Sequence, residues 1–486
     1  MSVIWGKWGA MCLFLLACAA PNRQPVDIVS PPVPEKIPLW ELPPVDSPDR
    51  PVVPSNGLHR WELKNGLEVI FLEDHRLPFV ELGVTIKVGA ASESIEEAGL
   101  AVFTADLIEK GAGDLGALEL SEKLETLGAT FGVSASWDSS TVSTTGLARD
   151  FSTLIDVLGD LVLRPKLSSD EARRAREELL ALLEREKDDP GSLASRAFLS
   201  ALYNAHRYSA PLSGVSNSIK NFTEDNAREF HDRFFRPSNA IFFATGKIKP
   251  KVLREKIENI FGSWKGSVPE ISADAILPPE SKMLKIVIID RPDLSQAQVR
   301  IGHQGIGRTD SRRLAASLMN LSFGGAGFSS RLMSRIRGRE GLAYGVYSYF
   351  TLRRNPGPFV ISTATRFSEV RRVVDLVLFE MERLKREPPS GQELASMKSL
   401  STGRFSLRLE TSSALLSSLV DLSVYSLPAD SLDTFRDRVM KTTEGRVSSV
   451  AQSLLRPESL AIAIVGPAKA IRAQLSDLGA VEVFEP

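Results

Sequence analysis

Thr223-Glu224, then Phe234-Phe235-Arg236-Pro237, then Ala240-Ile241-Phe242-Phe243-Ala244-Thr245-Gly246: this succession returns at a constant offset of 220 positions. Its second copy reads Thr443-Glu444, Leu454-Leu455-Arg456-Pro457 and Leu460-Ala461-Ile462-Ala463-Ile464-Val465-Gly466. Each copy has the pattern of a helix running into a buried strand that ends at glycine. One helix-strand unit can match by chance, but several positions hold register at one offset. The pattern predicts two homologous halves, 56–270 and 280–486, joined by the polar, proline-containing stretch from Ser267 to Pro279.

Working outward, the first half opens with strand patterns at Leu67–Leu72 and Val80–Val88. In the latter, Val80, Leu82, Val84, Ile86 and Val88 alternate with polar or small residues. Gly99–Lys110 reads as a helix with Leu100, Phe103, Leu107 and Ile108 on one face. Asp170–Lys187 reads as a longer one that turns Ala172, Ala175, Leu179, Leu182 and Leu183 inward. Strands and helices mixed in each half give an α+β fold.

The whole chain, 486 residues, is long enough for several domains. Its 59 Lys and Arg nearly cancel 60 Asp and Glu, without a long block of one sign, which argues against nucleic acid as a partner. At the N-terminus, Lys7 precedes an apolar run from Trp8 that stops at Leu15-Leu16-Ala17-Cys18. That run is too short to span a bilayer and reads as a secretory leader over 1–18. Small residues before Cys18 resemble a bacterial lipobox, whose cysteine becomes the acylated first residue. A plain signal peptide containing Cys18 is the alternative. Lipidation at Cys18, with Ala19 rather than Asp beside it, predicts a periplasm-facing lipoprotein of a bacterial outer membrane. Both cysteines, Cys12 and Cys18, fall in the leader, so the mature chain has no disulfide, Cys zinc site or Cys nucleophile. Residues 19–55 are dense in proline (Pro31-Pro32-Val33-Pro34, Pro43-Pro44) and read as an extended tether.

The second half contains Phe323-Gly324-Gly325-Ala326-Gly327-Phe328-Ser329-Ser330-Arg331-Leu332, continuing to Arg337-Gly338-Arg339-Glu340-Gly341-Leu342-Ala343-Tyr344. With Gln296 in Ser295–Val299 and Gly357-Pro358-Phe359 downstream, this segment resembles the pitrilysin/insulinase family of zinc metallopeptidases, in particular its processing-peptidase branch. The resemblance runs from about Leu58 to the C-terminus. It implies that each half is a mainly antiparallel sheet packed with helices, and that the two together form half of a clamshell.

Family members carry H-x-x-E-H on a first-half helix, two histidines one turn apart holding zinc and a glutamate activating water. The motif's flanks survive here as Gly99-Leu100 and Lys110-Gly111. Between them, Val102 stands at the first histidine, Ala105 at the glutamate and Asp106 at the second histidine. Counting back from Asp189-Pro190, Leu182 stands at the third ligand. The resemblance therefore predicts no metal in this chain and no catalysis by it alone. The five histidines (His59, His75, His206, His231, His303) lack ligand spacing and read as surface or turn residues. No nucleophile elbow, Walker loop or dinucleotide fingerprint is present.

What survives is the other half of the machinery. In single-chain relatives an arginine, and a tyrosine seven residues on, reach the substrate at the zinc; Arg337 and Tyr344 hold those positions. An arginine there can hold a peptide carbonyl or carboxylate, and a tyrosine can donate to an oxyanion. The bland alternative makes Arg337 a surface ion pair and Tyr344 half-buried packing before Tyr347, Tyr349 and Phe350. Gly324, Gly325, Gly327 and Ser329 resemble the substrate-binding loop of non-catalytic processing-peptidase subunits. The alternatives for that loop are a helix start capped by Ser329 or Ser330, or a phosphate nest. The resemblance implies a helper subunit that works in trans with a zinc-bearing partner of the same family on unfolded peptides. A peptide-binding or structural scaffold without a proteolytic partner is the competing reading.

Overall fold

The computed structural model describes residues 52–54, 56–268 and 284–486. The leader, Cys18, most of the tether and the junction residues 269–283 lie outside the described residues.

Two six-stranded sheets organise what is described. The first contains β1 (Leu58–Glu62), β2 (Glu68–Glu73), β3 (Phe79–Ile86), β4 (Thr130–Ala135), β5 (Ser140–Leu147) and β6 (Ala240–Gly246), ordered β1-β2-β6-β3-β5-β4. The second contains β7 (Lys285–Asp290), β8 (Ala297–Gln304), β9 (Val346–Phe350), β10 (Pro358–Thr365), β11 (Ala461–Gly466) and β12 (Val481–Phe484), ordered β12-β7-β11-β8-β10-β9. The two orders correspond strand for strand. In the first sheet β6 runs parallel to β2, Ile241 opposite Glu68, and antiparallel to β3, Gly246 opposite Val80. In the second, β11 repeats this between β7, Ala461 opposite Lys285, and β8, Val465 opposite Gln298. The correspondence fails only at the rim, where β1 is antiparallel to β2 but β12 is parallel to β7. The α+β fold of two homologous, mainly antiparallel halves is the one observed.

The helices that bear on the joint and the site are α1 (Leu100–Glu109), α2 (Phe151–Leu163), α3 (Ser169–Glu186), α4 (Pro190–Tyr203) and α5 (Glu224–Phe234) in the first half. Those of the second half are α6 (Arg313–Asn320), α7 (Val370–Arg386), α8 (Gly391–Arg408), α9 (Ser412–Val424), α10 (Phe435–Lys441) and α11 (Glu444–Leu454). The repeated sequence unit is α5 running into β6 and α11 running into β11. Thr443 caps α11 by accepting from the Arg446 N–H at 3.2 Å, and Thr223 shares a capping box with Asn226 at the start of α5. Proline at 237 and 457 follows each helix, where it cannot continue the helical ladder.

One feature crosses between the halves. α4, although in the first half by sequence, lies on the second sheet against β7, β8 and β11. α9, in the second half by sequence, lies on the first sheet against β2 and β6. Phe198, Leu202 and Tyr203 thereby meet Val287, Val360 and Ala463, while Leu415, Leu416 and Leu419 meet Ile70, Ile241 and Phe243. Burying each of the Leu, Ile, Val and Phe side chains among them contributes roughly 1.5–3 kcal/mol, so the exchange joins the two halves. It also covers the second face of each sheet. For that reason β6 and β11 are buried along their whole length. In β3 the alternation of Val80–Val88 gives way to buried Gly83, which lies against the Phe243 ring of β6, and buried Thr85, whose hydroxyl is 2.9 Å from that of Thr141.

A polar seam completes the junction. The Arg353 guanidinium lies 3.7 Å from the Trp137 ring centroid and 4.2 Å from that of Tyr208. Beside it Asp138 accepts from the Arg354 N–H at 2.9 Å and the Tyr425 hydroxyl at 2.8 Å. Among the described residues no helix is long and apolar enough to cross a membrane.

Candidate functional site

α1 is the helix on which the resemblance places a metal. Its first turn lacks a side-chain cap of its own, and Glu93 supplies the partner from outside. The Glu93 carboxylate accepts from the Gly99 N–H at 3.0 Å and the Ala101 N–H at 2.6 Å, and Arg207 donates to it at 2.7 Å. This negative charge lies at the positive end of the helix dipole. α1 is thus held firmly although the metal residues are gone.

Val102 and Asp106, one turn apart, share a face of α1, and Ala105 is buried. The Asp106 carboxyl is pushed up to about 6, first by burial and then by the charge of Glu109, with Glu178 of α3 adding to it. Leu182 lies one turn beyond Glu178. It is not packed inward as its periodicity predicts but is 39% exposed. Ala172, Ala175, Leu179 and Leu183 fill the inward arc of α3, and Leu182 stands about 100° away from Leu183 on the helical wheel. A zinc site needs about three donor side chains, and Val102, Ala105 and Leu182 offer no lone pair. Zinc does not fit these residues. Among the described residues no group of three or more His, Cys, Asp or Glu is placed to hold a metal.

Two histidines differ from the sequence expectation. His303 is 1% exposed, and burial pushes its imidazole down to about 4; His231 is buried with its ring nitrogen 2.9 Å from the Val162 carbonyl. Both fill the core as neutral rings. His59 and His75 are the surface residues expected and flank the Glu73 carboxylate at 3.4 and 2.8 Å.

The glycine segment is wound, not open. Leu321–Gly325 and Met333–Arg339 both form widened turns with i to i+5 hydrogen bonds, a rare geometry that recurs at functional sites. Beyond the first of them the chain passes from Ala326 (φ −98°) to Gly327 (φ +63°), a left-handed step that glycine takes without strain. A Cβ at Gly324 would lie 2.4 Å from the Ser348 hydroxyl oxygen, so only glycine lets the turn sit on β9. Ser329 and Ser330 do not cap a helix with their side chains; their hydroxyls donate back to the Ala326 and Gly327 carbonyls at 3.2 and 2.7 Å. Arg331 fastens the segment to the start of α8 through a two-pronged bond to Glu393 at 3.0 and 3.1 Å, joined by Ser322. Burial raises the Glu393 pKa, but Arg331 and Ser322 together hold it below the usual range.

Arg337 emerges from the second widened turn. Its guanidinium lies 4.5 Å from the ring centroids of both Phe328 and Tyr344. Tyr344 is 86% exposed and Phe328 72% exposed, so neither ring is packing. Arg331 and Arg335 use their charges on Glu393 and Glu340, whereas Arg337 has no ion pair among the described residues. Neither half of the bland alternative describes this pair. Just beyond, Tyr347 and Tyr349 project from β9, an edge strand, and are 49% and 44% exposed. The structure thus brings Arg337, Tyr344 and the glycine segment together on the second sheet. The Val102, Ala105, Asp106 and Leu182 set belongs to helices of the first half.

Two parts of this arrangement were not found by sequence reasoning. The role of Phe328 does not follow from motif position; an aromatic residue directly after Gly325-Ala326-Gly327 is the sequence signal for it. Glu93 and Arg207 carry no local signal.

A model of the insulinase family (peptidase family M16) matches residues 68–216, and one of the peptidase M16 inactive domain matches residues 221–400. The chain belongs to this family, as a member without its catalytic motif. An uncharacterized zinc protease of Streptomyces coelicolor is 24% identical over 85% of this chain and 90% of its own length. One from Mycobacterium bovis is 26% identical over 84% of this chain and 93% of its own. Among solved structures, a peptidase M16 inactive domain from Pseudomonas fluorescens superposes with a TM-score of 0.77 at 27% identity, covering 84% of this chain and 98% of that one. A protease from Helicobacter pylori superposes with a TM-score of 0.76 at 20% identity, over 84% of this chain and 99% of its own.

Proposed function

We propose that this chain is the substrate-handling subunit of a two-chain zinc peptidase, presenting Arg337 and Tyr344 in trans to a partner of the same family that keeps the metal. The observation that carries this reading is the exposed stack of Phe328, Arg337 and Tyr344. Exposed aromatic rings around an unpaired arginine have the composition of binding hot spots, and they gain most when a partner covers them. The metal positions support the same division of labour, since a chain without ligands gains nothing from an arginine and tyrosine aimed at zinc unless another chain supplies it. Arg337 would hold the peptide backbone, and the Tyr344 hydroxyl would donate to the oxygen on which charge develops.

The test is reconstitution with a family member that has an intact H-x-x-E-H motif, taken from the same organism. The two chains should co-elute on gel filtration, and peptide cleavage should require both. A metal-bearing relative that cleaves fully alone, and forms no complex, would leave the chain a scaffold.

A further inference from the structure

Five arginines that no motif accounts for, Arg308, Arg313, Arg404, Arg408 and Arg438, line one cavity of about 840 Å³ in the second half. Segments from α6, α8, α9 and α10 form its walls. Two carboxylates face the same space, Asp310 and Asp421. Asp310 is already clamped by Arg312 at 2.7 and 3.0 Å, and Asp421 by Arg308. Among the described residues the Arg438 guanidinium donates only to the Ser431 carbonyl at 3.0 Å, and that of Arg404 only to the Gly325 carbonyl at 3.5 Å. Arg313 and Arg408 have no ion pair among the described residues.

Burial first, then repulsion from neighbouring arginines, lowers the pKa of Arg313 and of Arg408 below the usual guanidinium value. For Arg313 those neighbours are Arg308, Arg438 and Arg408; for Arg408 it is Arg308; the Asp421 carboxylate opposes the shift at both without cancelling it. Like charges gathered in a partly dry cavity oppose folding unless a counter-charge enters. Guanidinium forks match the oxygens of phosphates, and hydroxyls of Ser317, Ser401 and Ser417 add further donors. The volume suits a small molecule rather than a single ion.

We propose that this cavity is a binding site for a small polyanion of the oligophosphate class, seated among Arg313, Arg404, Arg408 and Arg438. Through Arg404 its occupant would also brace the glycine segment at Gly325.

Titration calorimetry of the full chain with inorganic tripolyphosphate at low salt tests this. One saturable site is expected, weakening as salt rises. The double variant Arg313→Gln/Arg408→Gln should lose at least about tenfold in affinity, since charged hydrogen bonds of this kind typically account for that much each. Because the substitutions relieve repulsion, the variant should fold and melt no lower than the parent. Arg372→Gln, a surface arginine on Glu340, should bind as the parent does. Absence of binding at millimolar tripolyphosphate, or equal affinity in the double variant, would overturn the site. A short oligoglutamate peptide binding more tightly than tripolyphosphate would also overturn it, and would reassign the cavity to acidic peptide segments.

Discussion

Arg337→Ala and Tyr344→Phe are each expected to lower kcat/KM of the reconstituted pair by on the order of 10²–10³, the usual effect of removing one donor to a developing oxyanion. Both side chains project from the surface of the second half, and the Tyr344 ring is 86% exposed. Their loss should therefore change stability by no more than about 0.5 kcal/mol, and complex formation should persist on gel filtration. Tyr344→Phe is the more discriminating of the two. It keeps the ring stacked at 4.5 Å on Arg337 and removes only the hydroxyl, so a loss of rate reports hydrogen-bond donation. Phe328→Ala should act more mildly, because it loosens Arg337 without removing it. Full activity with both Arg337 and Tyr344 replaced would reduce the stack to surface decoration.

Arg207→Ala is expected to cost about 3–5 kcal/mol of folding stability, the typical penalty for stranding a buried charge. Glu93 and Arg207 are 1% and 3% exposed at their side chains and 2.7 Å apart. Arg207 also donates to the carbonyls of Ala210 and Pro211 at 3.2 and 3.1 Å, so the variant loses several bonds together. Burial already raises the Glu93 pKa in the parent, with Arg207 opposing it; in the variant Glu93 stays buried without that counter-charge, and its folded pKa rises further above its unfolded value. A group shifted that way favours the folded state at low pH and penalises it as pH rises through the shifted pKa. The deficit against the parent should thus shrink toward pH ~4.5 and reach its full size near neutrality. Urea unfolding at several pH values measures both. A deficit below about 1 kcal/mol, unchanged with pH, would mean that the pair is dispensable.

Much of the architecture was legible because it is written twice. Thr-capped helices running into glycine-terminated strands occur at one offset, and the structure gives both copies the same neighbours in their sheets. Sequence periodicity could not show that α4 and α9 trade sheets, since a helix's apolar stripe does not say which surface it covers. The alternation in β3 fails because the Phe243 ring covers Gly83 and Thr85 pairs with Thr141, contacts that a period of two does not encode. Leu182 was placed inward by counting apolar residues, but α3 had already filled its inward arc with Ala172, Ala175, Leu179 and Leu183. His231 and His303 were judged from the absence of ligand spacing, which says nothing about burial of a neutral ring. The Glu93–Arg207 pair spans 114 residues and leaves no local trace. At the site, the lost metal residues and the surviving Arg337 and Tyr344 were readable from motif position alone. Their exposure, the widened turns and the part played by Phe328 needed three dimensions.

The proposed division of labour puts the metal in the partner and Arg337 and Tyr344 here. Zinc stoichiometry measured on each purified chain and on their complex addresses it most directly. No stoichiometric zinc is expected in this chain, and one zinc per pair in the complex, carried entirely by the partner. About one zinc per molecule of this chain alone, retained through dialysis against a weak chelator, would contradict it.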